Sequence, residues 1–114
     1  MTSIPPFRVH FYKTAAGNEP VREWLLSLSG QEKKTIGEDI KTVQFGWPIG
    51  MPVSRKVAKD LWEIRSSLQN KIARVVFTVK GSEIILLHGF VKKTEKLPGK
   101  DLEIAKRRLA DLRG

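Results

Sequence analysis

The sequence predicts an α+β fold, a helical hairpin packed on a four-stranded, mainly antiparallel sheet with a further helix at the C-terminal end. Three observations predict it. Apolar residues alternate with period two near the start of the chain and again between residues 61 and 90, as in strands with one buried face. Two segments between these strands have apolar residues at helical spacing, and so does the last stretch of the chain. With 114 residues and 40% hydrophobic content, the chain suits one compact domain over residues 1–114.

Phe7, Val9 and Phe11 alternate with Arg8, His10 and Tyr12, which makes the first strand. After a Gly17-Asn18 turn, Pro20 opens a helix over about 19–28, with Val21, Trp24, Leu25 and Leu28 on one face. Ser29-Gly30-Gln31-Glu32 has capping-box spacing, and Ile36, Ile40 and Val43 continue a second helix that packs back on the first. Gly37 lies inside that helix, where a close helix crossing would account for it. The stretch from Gly46 to Pro52 holds two prolines and two glycines, which suits a long loop. Strands follow at 61–66, 72–79 and 83–90, an antiparallel meander with a tight turn at Lys80-Gly81-Ser82. The last of these is apolar almost throughout, as a central strand covered on both faces would be. A helix over about 100–112 carries Leu102, Ala105, Leu109 and Leu112 as its stripe. The expected core comprises Phe11, Trp24, Leu25, Leu28, Ile36, Ile40, Ile64, Val75, Phe77, Leu87 and Leu109.

The net charge is +9, and it is unevenly placed, with +1 over residues 1–52 and +8 over 53–114. A field of one sign raises the encounter rate with polyanions, so nucleic acid leads the expected partners and the second half should carry the anion-facing surface. A merely solubilising surface charge is the plainer alternative. The chain has no cysteine, which excludes disulfides, thiolate nucleophiles and thiolate metal sites. No window has the roughly 20 apolar residues that span a bilayer, and the N-terminus has no signal-peptide pattern. A cytoplasmic protein without a membrane association is expected.

Parity in the meander gathers the candidate chemistry. If Trp62 and Ile64 are buried beside Val75 and Phe77, then Glu63, Arg65 and Arg74 must share the opposite face. Lys92 and Lys93 follow the last strand and can reach the rim of the same sheet. Guanidinium and ammonium groups grip phosphate oxygens and stabilise charge that develops on phosphorus. The set could bind RNA, cleave it, or be an ordinary cross-strand ion pair of Glu63 and Arg74 with Arg65 solvated. His88 is either a hydrogen-bonded core histidine or a general base, and His10 is the weaker candidate. Lys71, Lys96 and Arg107 are further candidates for RNA contact. Two histidines without cysteine or clustered acids give no metal-site spacing, and no cofactor is expected. Trp24, Trp47 and Trp62 suit packing better than base stacking.

The runs Leu61-Trp62-Glu63-Ile64-Arg65, Ala73-Arg74-Val75-Val76-Phe77 and Leu86-Leu87-His88-Gly89-Phe90-Val91-Lys92-Lys93-Thr94-Glu95-Lys96-Leu97-Pro98, with Glu103-Ile104-Ala105-Lys106-Arg107-Arg108 downstream, resemble the phage Gp49-like branch of HigB toxins in the RelE/ParE superfamily. The resemblance spans roughly residues 7–113. It implies a toxin of a type II toxin–antitoxin system, a cognate antitoxin that is often a helix-turn-helix protein, and cleavage of mRNA in the ribosomal A site. By position, Arg74 is similar to the arginine that contacts the scissile phosphate in RelE-type enzymes. Arg65 resembles a neighbouring basic position, and Lys92 or Lys93 a further one. Glu63 stands where some RelE enzymes have lysine, and no tyrosine lies near the C-terminus. In HigB enzymes histidines and acids do more of the work, which raises His88 and Glu63. The route implied is attack by the RNA's own 2′-hydroxyl without a metal. A non-enzymatic ParE-like toxin that binds DNA gyrase, or a plain RNA-binding module, are the competing functions, because the fold alone does not choose among them.

Overall fold

The computed structural model describes residues 7–92 and 99–114. Its elements run β1 (Arg8–Phe11), α1 (Pro20–Leu26), α2 (Gly30–Gly46), β2 (Ser54–Ala58), β3 (Leu61–Leu68), β4 (Lys71–Lys80), β5 (Glu83–Lys92) and α3 (Gly99–Arg113). The α+β class and two successive helices against one face of the sheet are as expected, although each packs mainly on the sheet, α1 on β5 and α2 on β3, rather than on the other helix. The sheet differs, having five strands among the described residues in the order β1-β5-β4-β3-β2. It is mixed, because β1 pairs with β5 in parallel while the other pairs are antiparallel.

Both departures have a physical cause. The extra strand, Ser54-Arg55-Lys56-Val57-Ala58, is an edge strand held by backbone pairing to β3, with a register break between Lys56 and Ala58. It has no apolar alternation to announce it, since an edge need not bury a face. Alternation identified β1 as a strand, but period two carries no information on direction or partner, and its partner lies far along the chain at Glu83–Leu86.

Local signals place the helices. Pro20 starts α1 at a position where its missing N–H costs nothing. At α2 the Ser29 hydroxyl accepts from the Glu32 amide at 3.2 Å while the Glu32 carboxylate accepts from the Ser29 amide at 3.2 Å, a complete capping box. The β4–β5 turn has Gly81 at φ +60°, where a side chain would be strained.

The sheet has two covered faces. On the hairpin face Val21, Ile36, Val43, Ile64, Val75, Phe77 and Leu86 form one apolar cluster. On the α3 face Tyr12, Leu61, Val76, Ile85, Leu87, Phe90, Ala105 and Leu109 form another. Of the expected core, Ile36, Ile64, Val75, Phe77, Leu87 and Leu109 are buried. Phe11, Trp24, Leu25, Leu28 and Ile40 are partly buried against the first cluster. The expected crossing at Gly37 is absent, because a Cβ there would meet nothing within 4 Å. The close approach is at Gly89, where a Cβ would overlap the Trp24 ring, so α1 seats its tryptophan directly on β5. Trp47 and Trp62 pack edge to face at 5.1 Å, with Phe77 beneath Trp47 at 5.2 Å, consistent with packing roles for these tryptophans. No described helix is long and apolar enough to cross a membrane.

Candidate functional site

Register builds the site on the α3 face. In the β3–β4 pair Trp62 faces Phe77 and Ile64 faces Val75. Alternation therefore turns Glu63, Arg65 and Arg74 to the other side, with Arg65 directly opposite Arg74. The parity argument holds at every one of these positions. Their exposure differs from a simple surface patch. Glu63 and Arg74 are each 0% exposed, and the Arg65 side chain keeps 12%.

Glu63 is the hub. Arg55 Nε donates to its Oε1 at 2.7 Å, Arg65 Nε lies 3.8 Å from Oε1, and Arg74 Nη1 lies 3.8 Å from Oε2. One buried carboxylate thus orders guanidinium groups from three adjacent strands. Arg55 was not foreseen, because it belongs to the unannounced edge strand β2, where it pairs in register with Glu63. Its side chain is 34% exposed. An ordinary Glu63–Arg74 pair with a solvated Arg65 does not describe this arrangement, since Arg65 and Arg55 share the carboxylate.

His88 reaches the same face through an irregularity. Val76 pairs with His88 but Phe77 pairs with Leu86, so Leu87 is an extra residue in β5. Without it, strict alternation from Leu86 would turn His88 toward the hairpin. The bulge keeps Leu87 in the α3-side cluster and also sets His88 there, two register rows from the Arg74–Phe90 pair on the same face. Phe90 stacks on the imidazole at 5.4 Å. His88 Nε2 lies 2.7 Å from Asp101 Oδ1 in the first turn of α3, and Asp101 is buried. Burial pushes the imidazole below its ordinary value, against the upward pull of the Asp101 carboxylate, and Arg108 adds to the depression. The ring is therefore neutral at physiological pH. Arg108 itself donates to the Leu87 carbonyl at 2.7 Å and lies over the Tyr12 ring, while Tyr12 donates to Asp111 at 2.7 Å.

The remaining candidates are dispersed. Lys92 is exposed at the end of β5, on the same face as Arg74 by alternation from Phe90. Lys93 and Lys96 lie outside the described residues. Arg107 is exposed on α3. Lys71 points to the hairpin side and pairs with Glu32 at 2.7 Å. His10 is near Glu83 at 3.3 Å on the far edge.

The family model described as phage-derived protein Gp49-like (DUF891) matches residues 23–110, which include every strand of this constellation. The chain belongs to this family. The Gp49-like proteins form a RelE/HigB-like branch of toxins, so the chain is a toxin of a toxin–antitoxin system, with a cognate antitoxin as partner. No curated protein matches it. For the Gp49-like chain the matched span also covers Trp24, Gly89 and Asp101, the residues that seat α1 on β5 and α3 on His88.

Proposed function

We propose that this Gp49-like chain acts as one domain over residues 1–114 and is a cytoplasmic, ribosome-dependent endoribonuclease of a type II system. It would cut mRNA by attack of a 2′-hydroxyl on the adjacent phosphate, without a metal. The observation that carries this reading is the convergence of Arg55, Arg65 and Arg74 on buried Glu63, beside a neutral His88 on the same face. Guanidinium forks match phosphate oxygens and stabilise the charge that grows on phosphorus in the transition state. Arg65 and Arg55 keep exposure and would touch the phosphate, whereas fully buried Arg74 would hold Glu63 and through it the other two. Lys92 would extend the cationic rim along the RNA, and Arg107 would meet flanking phosphates. A chain without cysteine and with two separated histidines favours charge and proton transfer by side chains over metal ligation. The basic second half suits mRNA and the ribosome as partners, and an acidic segment of an antitoxin, such as a helix-turn-helix protein, as the cover.

Cleavage of message in a translation extract tests this. Products should end in a 2′,3′-cyclic phosphate, and Arg65→Ala should lower the rate by about 10² to 10³. It should also lessen the salt dependence of RNA binding by about one counterion. Ends bearing a 3′-hydroxyl, or an unimpaired Arg65→Ala, would defeat the reading. Intact message with poisoned DNA gyrase would return the chain to the gyrase-directed alternative.

A further inference from the structure

We propose that Asp101 is the positioning residue of the site, holding His88 with Nε2–H toward α3 so that Nδ1 is the atom that accepts the proton of the attacking 2′-hydroxyl. This rests on the endoribonuclease reading above and names the proton acceptor within it.

The geometry leads to it in steps. A carboxylate only accepts hydrogen bonds, so across the 2.7 Å contact the shared proton sits on Nε2 and the lone pair of the neutral ring on Nδ1. Nδ1 has no hydrogen-bond partner among the described residues, and the side chain keeps 13% of its surface exposed. The ring cannot swing freely, being stacked on Phe90 and carried by the bulge at Leu87. Asp101 is poorly explained by stability alone. It is 4% exposed, and its second oxygen, Oδ2, is buried without a hydrogen-bond partner among the described residues. A buried oxygen left that way is costly, so a residue kept only for packing would be better apolar. Asp101 also stands in the first turn of α3, where the helix's unpaired N–H groups and positive dipole end suit an acidic side chain.

The charged groups around His88 agree with an acceptor role. From α3 it faces Asp101 and Arg108, and from β4 Arg74 lies two register rows away. Burial and Arg108 keep the ring neutral at working pH, as a general base must be. Glu63 lies in the same register row, two strands over, at roughly 10 Å by strand spacing. A phosphate held by Arg65 would thus stand near a ribose offered to His88. In the step, the 2′-oxygen bonds to phosphorus, its proton passes to Nδ1, the bond from phosphorus to the 5′-oxygen breaks, and that oxygen takes a proton from water. His88 then releases its proton to solvent.

The test uses the full chain in a translation extract across pH, with nitrogen-15 NMR of His88. Wild-type cleavage should rise with pH to a plateau as His88 loses its proton. Asp101→Asn should lower the plateau by about 10²-fold or more, because the ring is no longer held in one tautomer. It should also move the acid limb to lower pH, because the carboxylate that favours the protonated ring is gone. A purely structural residue would lower the melting temperature and leave the limb in place. NMR of the wild type should find the Nε2–H tautomer, and this measurement stands even where Asp101→Asn fails to fold. An unchanged limb and plateau, or an Nδ1–H tautomer, overturns the inference while leaving a cleaving toxin. A wild type that cuts no message overturns the proposed function itself.

Discussion

The two faces of the sheet share the central strands β3 and β4 and solve burial differently. Against the helical hairpin, the buried side chains of β3 and β4 are Ile64, Ala73, Val75 and Phe77, with Ser66 as the polar exception. Against α3 the same strands bury Glu63, Arg74 and Thr78 among Leu61 and Val76. Burying a charge is expensive even when it is paired, so the second face holds its ions at a cost that the first avoids. On the proposed reading, stability is concentrated on the hairpin side and the chemistry lies on the α3 side. Neither face can be altered without exposing which of the two it serves.

The largest effect should come from a matched pair of truncations. Phe77→Ala opens a cavity under Trp47 and Trp62 and should cost about 3–5 kcal/mol in chemical denaturation. Arg74→Ala should cost on the order of 3 kcal/mol for a different reason, since it strips a counter-charge from a carboxylate that is 0% exposed. The distinction appears in the double variant Glu63→Leu with Arg74→Met. It should recover most of the lost stability, because two well-packed apolar groups replace buried ions, yet cleavage should stay lost. Should the double variant be less stable than Arg74→Ala, the ions of the α3 face are structural and the division fails.

Acid sharpens the comparison at lower amplitude. His88 is depressed by burial in the folded state, so the unfolded chain takes up a proton first as pH falls. Its contribution to stability is whole above the ordinary histidine value and is lost progressively below it, down through the depressed value. Melting temperatures measured through that window should fall in the wild type, and the part of the fall due to this ring should vanish in His88→Leu. An identical pH dependence in both would mean that the ring is not held neutral by the fold.

The hairpin face was legible in the sequence because its residues obey one rule. The period-two run at Ile64, Val75 and Phe77 and the helical spacing at Val21, Ile36 and Val43 each declare a buried stripe. Parity also assigned Glu63, Arg65 and Arg74 to a common side, since alternation needs only a register. Four things were not legible. Arg55 sits on an edge strand with no apolar pattern, so its approach to Glu63 at 2.7 Å had no sequence signal. The extra residue Leu87 cannot be seen in an apolar run, where every position looks buried, yet it decides the side His88 takes. Asp101 looks like any first-turn acid of a helix, and its meeting with His88 depends on how α3 docks. The exposure of Arg74 was unreadable for the same reason, because pattern fixes a face and packing fixes depth.

The smallest effect should come from Lys71, which the basic composition put forward as an RNA contact. It begins β4 opposite Leu68, a residue packed on the hairpin-side cluster, and its ammonium lies 2.7 Å from Glu32. Glu32 is in turn the acidic half of the capping box that starts α2, and its hydrogen bonds with Lys71 and the Ser29 amide hold its carboxyl below the usual range. The ammonium therefore serves the helix start, on the side of the sheet away from the arginines. Lys71→Ala should change cleavage by no more than roughly twofold, because an exposed pair of this kind contributes little and touches no phosphate. The salt dependence of RNA binding should be unaltered, in contrast to the loss of about one counterion expected for Arg65→Ala. If instead both variants lost cleavage and salt dependence together, the RNA would have to run around the sheet edge onto the hairpin side. The separation of a stabilising face from a reacting face would then no longer describe this toxin.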